Sequence, residues 1–279
     1  MTILQWQNIK NINQSSTYET IEIIYHFEKM KHLNQYINIR KKPSTVKATD
    51  ETIKKIVIDS ILKFGYDADL NFIDVSGVTS LNRMFRISRL NNERINCDIS
   101  RWDVSNVTEF SYMLLYCSEF KCDLSEWDVS SGKLFAEMFT STQIDFDVSK
   151  WDMSNAEDTS GMFSYCYKFK GKGLEKWKTN SLKACSSMFC SCEKIDPDFS
   201  DWDVSNVTRF DFMFEDCRNF TGKGIRNWVI KPKRLYKMFM GCTKLDPKNI
   251  DLAKFSSASI EKNLTFAGTP LDKSGIVYL

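Results

Sequence analysis

Two rhythms of apolar residues alternate along most of this chain. Ile95, Cys97 and Ile99 are separated by single polar residues, as are Phe120, Cys122 and Leu124, and again Ile144, Phe146 and Val148. Period two predicts a short, half-buried strand. After such a run the period lengthens. Phe110, Met113, Leu114 and Cys117 follow the spacing i, i+3, i+4, i+7, and so do Phe210, Met213, Phe214 and Cys217. That spacing predicts one buried stripe on a helix of about two to three turns.

Both rhythms keep one register. Trp102, Trp127, Trp151, Trp177, Trp202 and Trp228 succeed one another at spacings of 25, 24, 26, 25 and 26 residues, with Ile73 in the same place one unit earlier and Phe255 one unit later. Met84, Met113, Met138, Met162, Met188 and Met213 each come 11 residues after that position, and Met238 comes 10 after. The heptapeptide WDVSNVT stands at 102–108 and, letter for letter, at 202–208. Its Asp, Ser, Asn and Thr fall where the chain must turn and cap the start of a helix. A strand and a short helix within about 25 residues cannot bury their own apolar faces, so the units must stack. Equivalent strands then pair in parallel at about 4.8 Å, and eight units make a stack roughly 35 to 40 Å long. Truncating a central tryptophan to alanine should cost about 3 to 5 kcal/mol.

The repeat spans residues 70–268, and the ends depart from it. Over 1–48 the chain predicts a helical or mixed segment, with Ser16 and Glu19 in capping-box spacing before Ile21, Ile24, Tyr25 and Phe27, and a linker at KKPST, 41–45. A helix over 49–69 carries acidic residues in its first turn, Ile53, Ile56, Val57 and Ile61 on one face, and Gly65 as its stop. It is placed to cap the first unit. Before the tail at 269–279 a decayed unit sets Phe266 in the register of Phe239.

Composition narrows the chemistry. With 38 basic and 36 acidic side chains the net charge is +2, which gives no overall pull toward nucleic acid or anionic lipid. No signal peptide and no spanning segment is predicted, and nine cysteines without a secretory context favour reduced thiols in the cytoplasm. The two histidines, His26 and His32, lie outside the repeat, so no Ser-His-Asp or Cys-His pair is available within it. Cys117, Cys166, Cys192, Cys217 and Cys242 share one slot and read as a packing ladder, because no paired thiolates stand at zinc spacing. Neighbouring rungs are candidates for a disulfide under oxidising conditions. Asp74, Asp103, Asp128, Asp152 and Asp203 form a column that favours capping over calcium. GKG at 171–173 and 222–224 reads as two loop insertions, since neither stands in phosphate-loop spacing. Lys170, Lys176, Lys178, Arg226, Lys231, Lys233 and Arg234 make a candidate basic stripe beside them, read as a solvated face. The expectation is no catalytic residue, no metal and no cofactor.

Together, WDVSNVT, the MF..C segment and F...LS.W resemble the BspA-like surface-protein repeat, also called the mycoplasma-type lipoprotein repeat, a relative of the leucine-rich repeats. The resemblance implies an α/β solenoid: a right-handed, leucine-rich-repeat-like coil of about eight 25-residue strand–helix units under a helical N-terminal cap. It also implies a non-enzymatic binding module. This chain lacks the signal peptide and lipobox of secreted members, which points to the cytoplasm, or to a host cytoplasm if a virus encodes it. Positions such as Arg83, Arg86, Arg89, Glu109, Lys133 and Arg209 differ from unit to unit, as a surface matched to a protein partner would. The alternative is a nucleic-acid-binding or enzymatic activity in the basic segment with Lys29, Lys31, His32, Arg40, Lys41, Lys42 and Lys47, which is disfavoured because such runs are usually just solvated.

Overall fold

The computed structural model describes residues 44–86, 90–230, 234–255 and 264–272. Two compact units divide the chain, Met1–Ser44 and Thr45–Leu279. The helix expected after Ser16, both histidines, the basic N-terminal run, Arg89 and the tail from 273 fall outside the described residues.

The second unit opens with β1 (Val46–Lys47), which pairs in parallel with β2 (Ile73–Asp74). Residues 46–47, which the sequence assigns to the N-terminal segment, therefore belong with the repeats. Between the two strands runs α1 (Ile53–Phe64). Ile53, Val57 and Ile61 are buried in one core with Leu70, Ile73 and Val75, while Ile56 packs at its edge. Gly65 stops the helix at a φ of 100°, with its N–H donating to the Ile61 carbonyl at 2.8 Å. Asp50 and Glu51 precede the helix instead of lying in its first turn. Asp50 serves the neighbouring unit: Oδ1 accepts the N–H groups of Thr79 and Ser80 at 2.8 and 3.1 Å, and Oδ2 accepts the Thr79 hydroxyl at 2.7 Å. One and two units later the same place is filled by backbone, with Thr108 N donating to the Thr79 carbonyl and Lys133 N to that of Thr108, both at 2.9 Å. A carboxylate thus supplies to the first unit the acceptor that a preceding unit supplies to the others.

The helix expected in each unit is replaced by turns; α1 is the one α-helix among the described residues. Met113 N donates to the Phe110 carbonyl at 3.1 Å and Cys117 N to that of Leu114 at 3.0 Å, closing two consecutive four-residue turns. Tyr112 and Tyr116, third in each turn, have φ of 61° and 62°. A positive φ at that place alone defines a type II turn. Glu137 and Ser141, Gly161 and Tyr165, Ser187 and Ser191, and Phe212 and Asp216 repeat the pair. The first and fourth residues of such a turn lie on one side, so two turns in succession bury positions i, i+3, i+4 and i+7. A helix buries the same set, and periodicity cannot separate them. The N–H groups do: those of Phe110, Tyr112, Leu114 and Tyr116 reach out to the carbonyls of Leu134, Ala136, Met138 and Thr140 in the next unit, at 2.8 to 2.9 Å. A non-glycine residue in the left-handed region costs about 1 to 2 kcal/mol, and these inter-unit bonds hold it there.

Strand pairing is displaced accordingly. A column of parallel bridges joins Ser80, Glu109, Leu134, Asp158, Ala184, Arg209 and Arg234, where the expected helices would begin. In the segments expected to be strands burial does alternate, with Ile95, Cys97 and Ile99 buried and likewise Ile144, Phe146 and Val148. Side chains there join neighbouring units in place of a continuous ladder. Asn96 Oδ1 accepts from Lys121 N at 3.1 Å, Asp145 Oδ1 from Lys170 N at 3.1 Å and Asp196 Oδ1 from Thr221 N at 2.9 Å.

Between the bridge column and these segments lies the core. Phe139, Phe163, Phe189, Phe214, Phe239 and Phe266 stack ring on ring, with centroids 5.5 to 5.8 Å apart. Trp177, Trp202 and Trp228 stack at 6.1 and 6.5 Å. Phe266 thereby takes the register that the sequence assigns it. Each indole also ties two units together: the N–H of Trp127 donates to the Ile99 carbonyl at 3.1 Å, Trp151 to Leu124 at 3.0 Å, Trp177 to Val148 at 3.0 Å and Trp202 to Leu174 at 2.8 Å.

Candidate interaction face

WDVSN has a separate task for each letter. The Asp103 carboxylate accepts from Ser105 N at 3.2 Å and from its hydroxyl at 2.7 Å, folding the chain back on itself after the tryptophan. Asp128, Asp152 and Asp203 likewise accept from the N–H groups of Ser130, Ser154 and Ser205, all at 3.0 Å. Hydrogen bonds from Ser76, Ser200 and Ser205 hold Asp74, Asp198 and Asp203 below the usual carboxylate range, and Lys172 with Ser149 holds Asp147 at about 2. The aspartate column is thus committed to turns, which cap no helix. Asn106, Asn155 and Asn206 donate to the carbonyls of Ser76, Ser130 and Asn180 one unit back.

The cysteine slot is a ladder of donors. Cys166, Cys192, Cys217 and Cys242 point Sγ at the carbonyls of Phe139, Phe163, Phe189 and Phe214, at 2.9 to 3.0 Å. Thr142 occupies the same slot, and its hydroxyl donates to the Phe139 carbonyl at 2.8 Å. All nine cysteines are free thiols. Burial pushes Cys97 and Cys117 up to about 12 and Cys122 and Cys166 up to about 11, and it raises Cys185, Cys190, Cys192, Cys217 and Cys242 as well. The thiolate is the reactive species. Native protein at pH 8 is therefore expected to react with a thiol reagent at least about tenfold more slowly than the urea-unfolded chain, with Cys122 first because it is only half-buried. Several thiols labelled at once in the native state would contradict this packing.

Three of the described members of the basic stripe are held by specific partners. Lys170 pairs with Asp145, Arg234 Nε lies 2.8 Å from Asp211, and Arg226 donates to the carbonyls of Lys248 and Ile250 at 3.0 and 3.3 Å. Lys172 and Lys223, the central residues of the GKG loops, pair with Asp147 and Asp196. Lys176 and Lys178 are exposed, and Lys231 and Lys233 fall outside the described residues. A small cavity lined by Met153, Ala156, Trp177 and Met188, of about 10 Å³, is at the lower limit for holding one water. No group of three or more metal-ligating side chains gathers among the described residues.

What stands out toward solvent is the face made by the type II turns. One column of left-handed positions carries Arg83, Tyr112, Glu137, Gly161, Ser187, Phe212 and Lys237, and a second carries Tyr116, Ser141, Tyr165, Ser191, Asp216 and Gly241. Arg83, Tyr116, Tyr165 and Asp216 are exposed, most of the other column positions are half-buried, and Gly161 is buried between them. Tyr116 is 56% exposed, Tyr165 44% and Tyr167, beside it, 48%. The rings of Tyr165 and Tyr167 meet edge to face at 6.3 Å, and the Arg83 guanidinium lies 4.7 Å from the Tyr112 ring centre. Farther along, Phe212 and Tyr236 pack edge to face at 5.1 Å beside Lys237, whose ammonium is 3.4 Å from Glu215. The sequence singled out Arg83, which lies on this face, and Arg86, three residues beyond it; Glu109 and Arg209 sit in the bridge column, and Lys133 just before it. The sequence does not reveal the tyrosines as a set, because a helix over the same residues would not place them on one surface.

The family model described as "Mycoplasma protein of unknown function, DUF285" matches the chain twice, over residues 51–172 and 133–255. The chain belongs to that family. The two DUF285 matches overlap over residues 133–172, as a repeated unit allows, and together they take in α1 and all six tryptophan units. DUF285 thus coincides with the array that carries the tyrosine face. No curated protein and no solved structure matches the chain. Among the described residues no helix is long and apolar enough to cross a membrane.

Proposed function

We propose that this protein is a non-enzymatic protein-interaction module of the BspA-like kind, a right-handed, leucine-rich-repeat-like solenoid that works in the cytoplasm and presents its turn face to a protein partner. The supporting observation is the make-up of that face. Tyrosine, serine and glycine dominate its two columns, with an arginine at one end. Tyrosine offers a large contact area at little entropic cost, serine and glycine leave room around it, and Tyr and Arg are the residue types enriched at binding hot spots. The backbone beneath is fixed by inter-unit hydrogen bonds, so little order has to be gained on binding. The aspartates and cysteines that could have carried chemistry are engaged in turns and core instead.

A photo-crosslinking residue placed at Ser141 in the full chain tests this reading. A discrete crosslinked protein is expected there, lost when Tyr116 and Tyr165 are changed to serine, and missing when the crosslinker replaces Glu126, which stands outside both columns. Crosslinks of equal yield at Ser141 and Glu126 would argue for sticky contact without a site.

A further inference from the structure

We propose that the protein seated on this face is a second copy of the chain, docked antiparallel about a two-fold axis that passes between the third and fourth units. The proposal rests on the interaction-module reading and names its partner. Units one to six are marked by Met84, Met113, Met138, Met162, Met188 and Met213. A two-fold axis lying in the plane of the face and across its columns sets each column opposite itself and reverses the order of units. Unit one then faces six, two faces five, and three faces four.

In this register each tyrosine of the two columns meets a serine. The first column sets Tyr112 against Ser187 of the other copy, Glu137 against Gly161, and the Arg83 guanidinium against the Phe212 ring. The second sets Tyr116 against Ser191 and Tyr165 against Ser141. Charge follows the same order, because exposed Arg86 in unit one comes over exposed Asp216 in unit six. Neighbouring registers lose both kinds of fit. Moving the axis one half-unit toward the C-terminus sets Arg83 against Lys237 and Tyr112 against Phe212, and moving it the other way sets Tyr116 against Tyr165 and Glu137 against itself. A surface that recognised an unrelated protein would have no reason to complement its own reversed copy.

Six units at about 4.8 Å, on a face roughly five residues wide, cover about 500 to 600 Å² per copy. That is near the lower limit of about 1,200 Å² in total for a specific pair, which points to a dimer of micromolar strength.

Sedimentation equilibrium on the full chain tests the arrangement. Wild type is expected to pass from monomer to dimer at tens of micromolar, roughly, and to dissociate about tenfold more readily when salt rises from about 50 to 500 mM. Arg86→Glu and Asp216→Arg are each expected to be monomeric, since each homodimer sets like charges together twice. Mixed in equal amounts they are expected to dimerise again, because the mixed pair has one ordinary contact and one with its charges exchanged. Recovery on mixing also shows that both variants are folded. Wild type that stays monomeric up to about 200 μM, or a mixture that fails to recover, overturns the second-copy proposal. If the Ser141 crosslink is nonetheless lost with the tyrosines, the interaction reading stands and its partner is another protein.

Discussion

Trp177→Ala is expected to remove about 3 to 5 kcal/mol of stability, read as a lowered midpoint in urea unfolding followed by circular dichroism. Four losses combine at this position. The indole is 2% exposed, it lies flat on Trp202 at 6.1 Å with an 8° tilt, and its ring faces Phe163 at the same distance. Its N–H also ties the unit to the Val148 carbonyl. Trp177→Phe separates these contributions, since most of the apolar contact survives and the hydrogen bond does not. The Val148 carbonyl still accepts from Trp151 N at 3.1 Å, so no acceptor is orphaned and the cost should stay near about 1 kcal/mol beyond the smaller ring. An alanine variant that lost under about 1 kcal/mol would mean that neighbouring units do not stabilise each other through this column.

The same tryptophan shows how far the sequence could be read. Its period located every unit and assigned Phe266 to the register of Phe239, because a buried column demands the same residue type each time. Burial was legible along the stripe, where Phe110, Met113, Leu114 and Cys117 are all interior as their spacing requires, while Cys122 in an alternating run is only half-buried. Backbone conformation was not. Two type II turns in succession and two turns of helix bury the same positions, and the distinction lies in where the N–H groups go, to which no side-chain pattern responds. One local signal did exist. Gly161, Gly241 and Gly268 stand at the third turn position in units where other residues accept the left-handed conformation, and a glycine recurring there is a turn signature that a helix interior disfavours. The turn face was illegible for the same reason, since the tyrosines share a surface only once the turns are placed. The roles of Asp50 and of the indole N–H groups concern acceptors in other units and leave no periodic trace.

Glycine tests that account most sharply, because the chain uses it in two physically different ways. Gly173 and Gly224, the last residues of the two GKG loops, have φ of 95° and 83° and lead into the short 3₁₀ turns Leu174–Lys176 and Ile225–Asn227. A Cβ at Gly173 would lie 2.2 Å from Ser149 N, and one at Gly224 would lie 2.1 Å from Ser200 N. Both obstacles are backbone of the preceding unit, and both are held: Ser149 N donates to Asp147 and Ser200 N to Asp198, each at 2.9 Å. Gly173→Ala must therefore push adjacent units apart as well as adopt a left-handed alanine, and a loss of about 3 kcal/mol or more is expected. Gly161 has φ of 64°, but other positions of its column carry Tyr112, Glu137 and Ser187, and the close contact of a Cβ there would be with a side chain that can move, Glu137 Cγ at 2.8 Å, with no backbone atom nearer than 3.8 Å. Gly161→Ala should cost about 1 to 2 kcal/mol. The comparison is made by thermal unfolding of the two variants side by side. Equal losses would mean that backbone conformation alone sets the cost. An additional loss in Gly173→Ala lies in the approach of one unit to the next, which is where the extra residue of each GKG loop is absorbed.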